Sequence, residues 1–238
     1  MRIDPGTRVL LFDCYQTLIG IRTDEHEPAT WERFAAFLRG HGLDAAPDAL
    51  RGRYHALVWE NIAASPEPHP EFDVEDVLRR LLGELGADDA GAARLSTPAA
   101  RAFRTASMRW LEVFPDTLPA LRELGRHHRL GLVTDAQRVF LEAELRETGL
   151  EGIFEVMVVS SDLGYRKPDH RMFAPALAAF GARPEEALYV GDSLDRDVGG
   201  AQAAGLTGVL LDRHRRGAGG DVPVIASLDQ LATTLGGG

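Results

Sequence analysis

From Pro115 onward, short apolar runs alternate with stretches whose apolar residues recur every three to four positions. Apolar runs of four or five residues are typical of strands buried on both faces, and the periodicity between them is typical of helices. This alternation predicts a parallel sheet covered by helices on both sides. The predicted strands here are Leu130–Thr134, Val156–Ser160, Ala187–Val190, Gly208–Leu211 and a short one near Val224. The predicted helices are Pro115–Arg126, Arg138–Thr148, Arg171–Phe180, Val198–Ala204 and Leu228–Leu235.

One more strand, Arg8–Phe12, is separated from the others by a long segment with helical periodicity alone. In that segment Thr30 is predicted to cap a helix whose apolar face includes Trp31 and Leu38. The further helices predicted there are Pro47–Ile62, Val74–Leu85 and Thr97–Trp110. The sequence therefore predicts an α/β fold with a Rossmann-like parallel-sheet core, residues 1–19 and 112–238, and an inserted all-helical cap domain, residues 20–111.

Charge and composition exclude several classes of function. The 238 residues carry 26 basic and 36 acidic side chains, a formal net charge of −10, and no long block of Lys or Arg. This argues against nucleic-acid binding and against a polybasic membrane anchor. No apolar run reaches the roughly 18 residues that a membrane helix needs. The lone Cys14 rules out an internal disulfide, and the first residues lack the features of a signal peptide, so we expect a cytoplasmic protein.

Polar residues follow the predicted strands at the points where ligands bind in α/β sheets. Asp13 comes directly after the first strand, Thr134 ends the second, and Asp192 and Asp197 follow the strand Ala187–Val190. Lys167 lies in a loop after the strand Val156–Ser160. Because the carboxyl ends of parallel strands share one edge of a sheet, these residues are predicted to form a single site.

The chemistry of these residues is that of phosphoryl transfer. A carboxylate such as Asp13 can attack phosphorus in line, which gives an acyl phosphate that water then hydrolyses. Lys167 can neutralise the carboxylate and the transferred group, and the hydroxyl of Thr134 suits a phosphoryl oxygen. Mg²⁺ takes carboxylate and phosphate oxygens, which Asp192 and Asp197 are placed to complement.

Together, Asp13-Cys14-Tyr15-Gln16-Thr17, Thr134-Asp135, Arg166-Lys167-Pro168 and Gly191–Asp197 resemble the four motifs of the haloacid dehalogenase-like hydrolases. The resemblance covers nearly the whole chain and is to the subgroup with a helical cap after the first motif. It implies catalytic roles for Asp13, Tyr15 and Lys167. It implies substrate binding by Thr134, Asp135 and Lys167, and a Mg²⁺ ion held by Asp13, Tyr15, Asp192 and Asp197.

Two positions depart from the pattern of the family's phosphatases. Those enzymes usually carry a second Asp two residues after the nucleophile, as general acid and base, where this chain has Tyr15. A phenol with a pKa near 10 is a poor base at neutral pH. Tyr at this place resembles the 2-haloacid dehalogenases, which need no metal, but their fourth motif has Ser and Asn instead of Gly191 and Asp192. The second departure is Asp135, where Asn is common.

Three hypotheses follow from these motifs. The first is a Mg²⁺-dependent phosphate monoester hydrolase that forms an aspartyl phosphate on Asp13 and acts on a small phosphorylated metabolite, as a monomer or homodimer. The second is a metal-free hydrolase of the 2-haloacid dehalogenase type. The third is a catalytically weakened binding domain, which Tyr15 motivates and the intact Asp13, Lys167, Asp192 and Asp197 argue against.

Overall fold

The strands form one six-stranded and one two-stranded sheet in the computed structural model, which describes residues 6–215, 217 and 222–236. The strands in chain order are β1 (Val9–Phe12), β2 (Ile19–Thr23), β3 (Met108–Val113), β4 (Arg129–Thr134), β5 (Val156–Val159), β6 (Ala187–Gly191), β7 (Thr207–Leu211) and β8 (Val224–Ile225). The larger sheet is parallel throughout, in the order β5-β4-β1-β6-β7-β8. The predicted parallel-sheet α/β core is therefore confirmed.

Ten α-helices connect and cover these strands within the described part of the chain. They are α1 (Pro28–Arg39), α2 (Pro47–Ala64), α3 (Val74–Glu84), α4 (Asp89–Ser107), α5 (Thr117–Leu124), α6 (Arg138–Glu147), α7 (Ser160–Leu163), α8 (Ala174–Phe180), α9 (Gly200–Ala203) and α10 (Leu228–Gly236). Short 3₁₀ turns lie at His170–Phe173 and Pro184–Glu186, and a π-helical turn spans Leu194–Gly199. Within these ranges, no helix combines the length and the apolarity that crossing a bilayer requires.

The register of the central strands determines where the functional residues lie. Strand β1 runs between β4 and β6, and Phe12 pairs with Leu132 on one side and Val190 on the other. All four residues of β1 are buried. Asp13, Thr134 and Gly191 consequently reach the same carboxyl edge of the sheet, in three adjacent strands.

The segment between β1 and α5 is not wholly helical, contrary to the sequence prediction. It begins with β2 and ends with β3, which pair antiparallel from Ile19–Val113 to Thr23–Met108. Gly20 lies directly under Trp110, since a Cβ on Gly20 would come within 2.2 Å of the Trp110 ring. The pairing joins residues 85 to 94 positions apart. Periodicity within either short strand does not reveal such a distant partner.

Two helix starts in this segment also differ from the prediction. Helix α4 begins at Asp89, well before the predicted Thr97, because the Asp88 side chain caps it by accepting a hydrogen bond from the Gly91 N–H at 2.6 Å. Helix α1 begins at Pro28, so Thr30 lies inside it. The Thr30 hydroxyl donates to the Asp24 carbonyl at 2.7 Å instead of capping the helix.

Three groups of buried apolar side chains hold the structure together. Two of them lie on the opposite faces of the parallel sheet, one around Phe12 and Leu132 and the other around Leu11 and Tyr189. The third is formed by α1 to α4 and is centred on aromatic residues such as Trp31. Val139 and Phe140 of α6 also belong to this third group. The inserted helices therefore contact the α/β core through α6.

Candidate active site

The residues selected from four separate segments of the sequence lie together at the carboxyl edge of the sheet. Asp13 is 6% exposed and directly follows β1, where its backbone N–H donates to the Val190 carbonyl at 2.9 Å. Thr134 ends β4 and is fully buried. Lys167 lies in the loop after α7, and Asp197 lies in the π-helical turn after β6; they are 3% and 2% exposed.

The ammonium of Lys167 connects the carboxylates of the site. Its Nζ donates to Asp13 Oδ1 at 2.7 Å, to Asp197 Oδ1 at 2.6 Å and to the Tyr189 hydroxyl at 2.8 Å. The Tyr189 hydroxyl donates in turn to the Val133 carbonyl at 2.8 Å. All three N–H donors of the ammonium are thereby used, which fixes its position over Asp13.

The charges of the site do not balance within the protein. One carboxylate oxygen from each of Asp13, Asp192 and Asp197 lies within 4.8 Å of the other two, while Lys167 supplies one positive charge. Burial raises the pKa of Asp13 to about 7, Lys167 opposes this rise, and Asp197 and Asp192 add to it. Burial acts to lower the pKa of the Lys167 ammonium. The negative charges of Asp13, Asp197 and Asp135 have the larger combined effect, so the pKa is raised. The site therefore carries excess negative charge around a Lys167 that stays protonated.

The loop after β6 is shaped around Asp197. The Ser193 N–H donates to Asp197 Oδ2 at 2.8 Å, and Tyr189 and Lys167 contact Oδ1, so both carboxylate oxygens are held. Gly191 makes room for this side chain, because a Cβ at position 191 would lie 2.4 Å from Asp197 Cγ. Asp192 is less enclosed, and burial together with Asp197 raises its pKa. Asp195 is exposed, as expected for a residue between the matched positions.

At the end of β4, two neighbouring side-chain oxygens are buried without a hydrogen-bond partner among the described residues: Thr134 Oγ1 and Asp135 Oδ2. The other oxygen of Asp135 accepts a hydrogen bond from the Lys167 backbone N–H at 2.9 Å. Buried polar atoms are nearly always satisfied in folded proteins. These two exceptions lie in consecutive residues, one of which is bonded to the Lys167 backbone, and they point to a place where a polar ligand can bind.

Comparison with known proteins identifies the family. Residues 73–211, more than half of the chain, match the family of haloacid dehalogenase-like hydrolases. The chain belongs to this family. The glyceraldehyde 3-phosphate phosphatase of Methanopyrus kandleri is 37% identical over 138 residues, which are 57% of this chain and 58% of that protein. The phosphoserine phosphatase of Thermus thermophilus is 35% identical over 173 residues, which are 72% of this chain and 66% of that protein. The matched regions thus span less than two thirds of either relative.

The fold of this haloacid dehalogenase-like hydrolase is shared with solved structures. The 2-haloacid dehalogenase from Pseudomonas syringae pv. Tomato DC3000 superposes with a TM-score of 0.69 at 23% sequence identity. The superposition covers 97% of this chain and 98% of that one. At this level of identity, the likeness concerns the fold and leaves the reaction open.

Tyr15, at which this hydrolase departs from its family's phosphatase pattern, bonds through its hydroxyl to a residue outside the carboxylate cluster. Its hydroxyl donates to Glu144 Oε2 at 2.6 Å, and the other oxygen of Glu144 accepts from Arg104 Nε at 2.6 Å. Burial and the adjacent Glu144 raise the pKa of the phenol well above its ordinary value. The sequence predicted catalytic and metal-binding roles for this phenol. In the structure it donates to Glu144 of α6, which forms a buried ion pair with Arg104 of α4.

We expect Tyr15→Phe to affect stability more than chemistry. Loss of a hydrogen bond to a buried carboxylate should lower the free energy of unfolding by about 1.5–3 kcal/mol. Turnover should stay within a few-fold of wild type, since the phenol is bonded to Glu144 and not to the catalytic carboxylates. Urea unfolding and steady-state kinetics measure the two effects, with Tyr165→Phe at a half-buried ring as the matched control. A hundredfold loss of turnover in Tyr15→Phe alone would show that the phenol takes part in the reaction.

The sequence analysis missed Tyr189, which contacts Lys167 and Asp197, and the buried pair Glu144–Arg104, which binds the Tyr15 hydroxyl. Tyr189 interrupts an otherwise apolar strand, and a Tyr buried in a sheet needs a partner for its hydroxyl. The position of Tyr189 in an apolar strand is therefore a sequence signal for a polar partner near the carboxyl edge of the sheet. Glu144 and Arg104 lie on amphipathic helices among other charged residues, so nothing in the sequence distinguishes their buried pair from solvated charges.

Proposed function

We propose that this protein is a Mg²⁺-dependent phosphate monoester hydrolase that acts through an aspartyl-phosphate intermediate on Asp13. The observation that carries the proposal is the position of Asp13, bonded to Lys167 and grouped with Asp192 and Asp197 at the sheet edge. Residues 1–19 and 112–238 would form the catalytic core, and residues 20–111 a cap that closes over a small phosphorylated metabolite.

The relatives support the class of reaction. Two curated relatives that match at 37% and 35% identity are named as phosphatases of small phosphorylated metabolites, glyceraldehyde 3-phosphate and phosphoserine. Their substrates differ, so they support phosphate monoester hydrolysis without specifying the leaving group.

The residues present fit a divalent cation. Three carboxylates share one ammonium, and their mutual repulsion contributes to the raised pKa values of Asp13 and Asp192. A hard cation that prefers oxygen ligands would relieve this repulsion, and Asp13, Asp192 and Asp197 are the residues that would hold it. When bound, Mg²⁺ would screen the charge between the phosphate ester and the attacking carboxylate.

The protein's own groups account for the remaining requirements of the reaction. Lys167 fixes the Asp13 carboxylate for in-line attack and balances the charge of the transferred group. Thr134 Oγ1, buried without a partner among the residues described, can donate to a phosphoryl oxygen. Asp197 positions Lys167, and Tyr189 supports both.

The acidic cluster disfavours the metal-free dehalogenase hypothesis. Asp192 and Asp197 would repel an anionic haloacid approaching Asp13 in the absence of a cation. Tyr15 still motivates the non-catalytic hypothesis, because its hydroxyl bonds to Glu144 and supplies no acid or base. The acidic cluster and its contact with Lys167 argue against that hypothesis.

An assay of the wild-type protein tests this function. We expect release of phosphate from p-nitrophenyl phosphate in the presence of Mg²⁺ and at least a hundredfold slower release in EDTA, restored by excess Mg²⁺. Halide release from 2-chloropropionate, unaffected by EDTA, would instead establish the dehalogenase reaction. Absence of both activities in a folded protein that still binds inorganic phosphate would favour a binding domain.

A further inference from the structure

The proposed reaction needs a group that carries a proton, and the family's usual position for it is occupied by Tyr15. The phenol is bonded to Glu144. Lys167 uses its three N–H donors on Asp13, Asp197 and Tyr189. Asp197 has both oxygens engaged. None of these groups is free to protonate a leaving alcohol or to accept a proton from water.

Asp135 has the free oxygen that these residues lack. Its Oδ1 is anchored by the Lys167 backbone N–H at 2.9 Å, which ties the carboxyl group to the catalytic loop. Its Oδ2 is buried and has no hydrogen-bond partner in the described ranges, and the same holds for Oγ1 of the preceding residue, Thr134. Among the described residues, the nearest cation to Oδ2 is Arg196, whose side chain is 57% exposed. Its nitrogen lies 3.9 Å away, which is too distant for a hydrogen bond.

We propose that Asp135 is the general acid and base of this enzyme, in place of the residue lost at Tyr15; the proposal rests on the phosphatase function. Thr134 and Asp135 are consecutive at the end of β4, and each has one buried side-chain oxygen without a partner among the described residues. In this proposal Thr134 binds a phosphoryl oxygen and Asp135 Oδ2 serves the bridging oxygen. The anchored Oδ1 and the buried, unpartnered Oδ2 give this carboxyl group one positioning contact and one reactive atom.

The proton returns to its starting point over one cycle. In the first step Asp13 attacks phosphorus, the bond from phosphorus to the leaving oxygen breaks, and the Asp135 carboxyl proton moves to that oxygen to release the alcohol. In the second step water attacks the phosphorus of the aspartyl phosphate, and the water proton moves to the Asp135 carboxylate. The bond from phosphorus to Asp13 breaks, which restores the Asp13 carboxylate and releases phosphate.

Asp135→Asn separates this chemical role from a positioning role. An Asn side chain keeps the acceptor for the Lys167 backbone N–H and has nearly the same shape, but it carries no transferable proton. A residue that only positioned Lys167 would therefore tolerate Asn. A general acid would not, and the deficit would depend on how much the leaving group needs protonation.

The experiment compares p-nitrophenyl phosphate, which has a good leaving group, with phenyl phosphate, which has a poor one of similar shape. For Asp135→Asn with Mg²⁺ we expect kcat/KM for phenyl phosphate to fall by about 10²-fold, the usual contribution of general acid catalysis, and kcat/KM for p-nitrophenyl phosphate to change little. Hydrolysis of the aspartyl phosphate should become slow, so p-nitrophenol should appear in a burst stoichiometric with enzyme. Asp162→Asn, at an exposed position in α7, is the matched control and should show neither effect.

Equal losses for the two substrates, or no loss and no burst, would overturn the proposal. Failure of the proposed function is a different result: the wild-type enzyme itself would show no Mg²⁺-dependent hydrolysis. Circular dichroism establishes that the variant folds. If it does not, Asp135→Glu and Asp135→Gln form a second pair, and the same substrate comparison decides: phenyl phosphate turnover should survive better in the Glu variant.

Discussion

Asp13→Asn is expected to reduce phosphate release from p-nitrophenyl phosphate by at least about 10³-fold, the scale of effect seen when a covalent nucleophile is removed. The amide oxygen of Asn can still accept the hydrogen bond from Lys167, so the loss reflects the missing nucleophile and not a displaced ammonium. The fold should not suffer, because the substitution removes one of three mutually repelling carboxylates. Steady-state kinetics with Mg²⁺ and a urea unfolding curve measure both quantities.

The matched control for this substitution is Asp195→Asn. Asp195 belongs to the same sheet edge and the same acidic motif, but its side chain is exposed and lies outside the group of Asp13, Asp192 and Asp197. Its replacement should leave kcat within about twofold of wild type, as is usual for surface substitutions away from specific contacts. If Asp13→Asn kept more than one tenth of the wild-type kcat while the control was unchanged, Asp13 would be excluded as the nucleophile.

The sequence was a reliable guide to the parallel sheet because each strand carries its own signal. Runs such as Leu130–Val133 are apolar on both faces, and polar residues mark the point where each strand stops. Once the strands are parallel, geometry brings Asp13, Thr134 and Asp192 to one edge without further information. This part of the fold and of the candidate site follows from local patterns plus one topological rule.

What the sequence could not supply depends on contacts between distant residues. The pairing of β2 with β3 joins the two ends of the inserted segment, and neither strand alternates clearly enough to be identified alone. The Tyr15–Glu144–Arg104 contact is similar, since each residue is ordinary in its local context and only the tertiary structure buries them together. The sequence does not determine the orientation of Asp135 either, because that depends on its contact with the distant residue Lys167.

Lys167 is the single lysine among the 26 Lys and Arg residues of the chain, and its environment explains why arginine does not serve there. Three acceptors surround one nitrogen at 2.6 to 2.8 Å: Asp13, Asp197 and Tyr189. An ammonium presents three donors from one compact centre, whereas a guanidinium spreads its donors over a wide planar fork. Because Lys167 is 3% exposed and its nitrogen is enclosed by these three acceptors, we expect the larger guanidinium to overpack the site.

We therefore expect Lys167→Arg and Lys167→Met both to lose about 10²-fold or more in kcat/KM, although Arg preserves the charge. The two should differ in stability without Mg²⁺. Met leaves Asp13 and Asp197 buried without a counter-charge, which should lower the free energy of unfolding by about 3–5 kcal/mol. Arg keeps a counter-charge but overpacks the site, for which about 1–3 kcal/mol is the usual loss. Urea unfolding and p-nitrophenyl phosphate kinetics test both statements, with Arg166→Met at the exposed neighbouring position as control. Activity retained in Lys167→Arg would mean that positive charge alone suffices, and the three-acceptor geometry would then not be what the reaction requires.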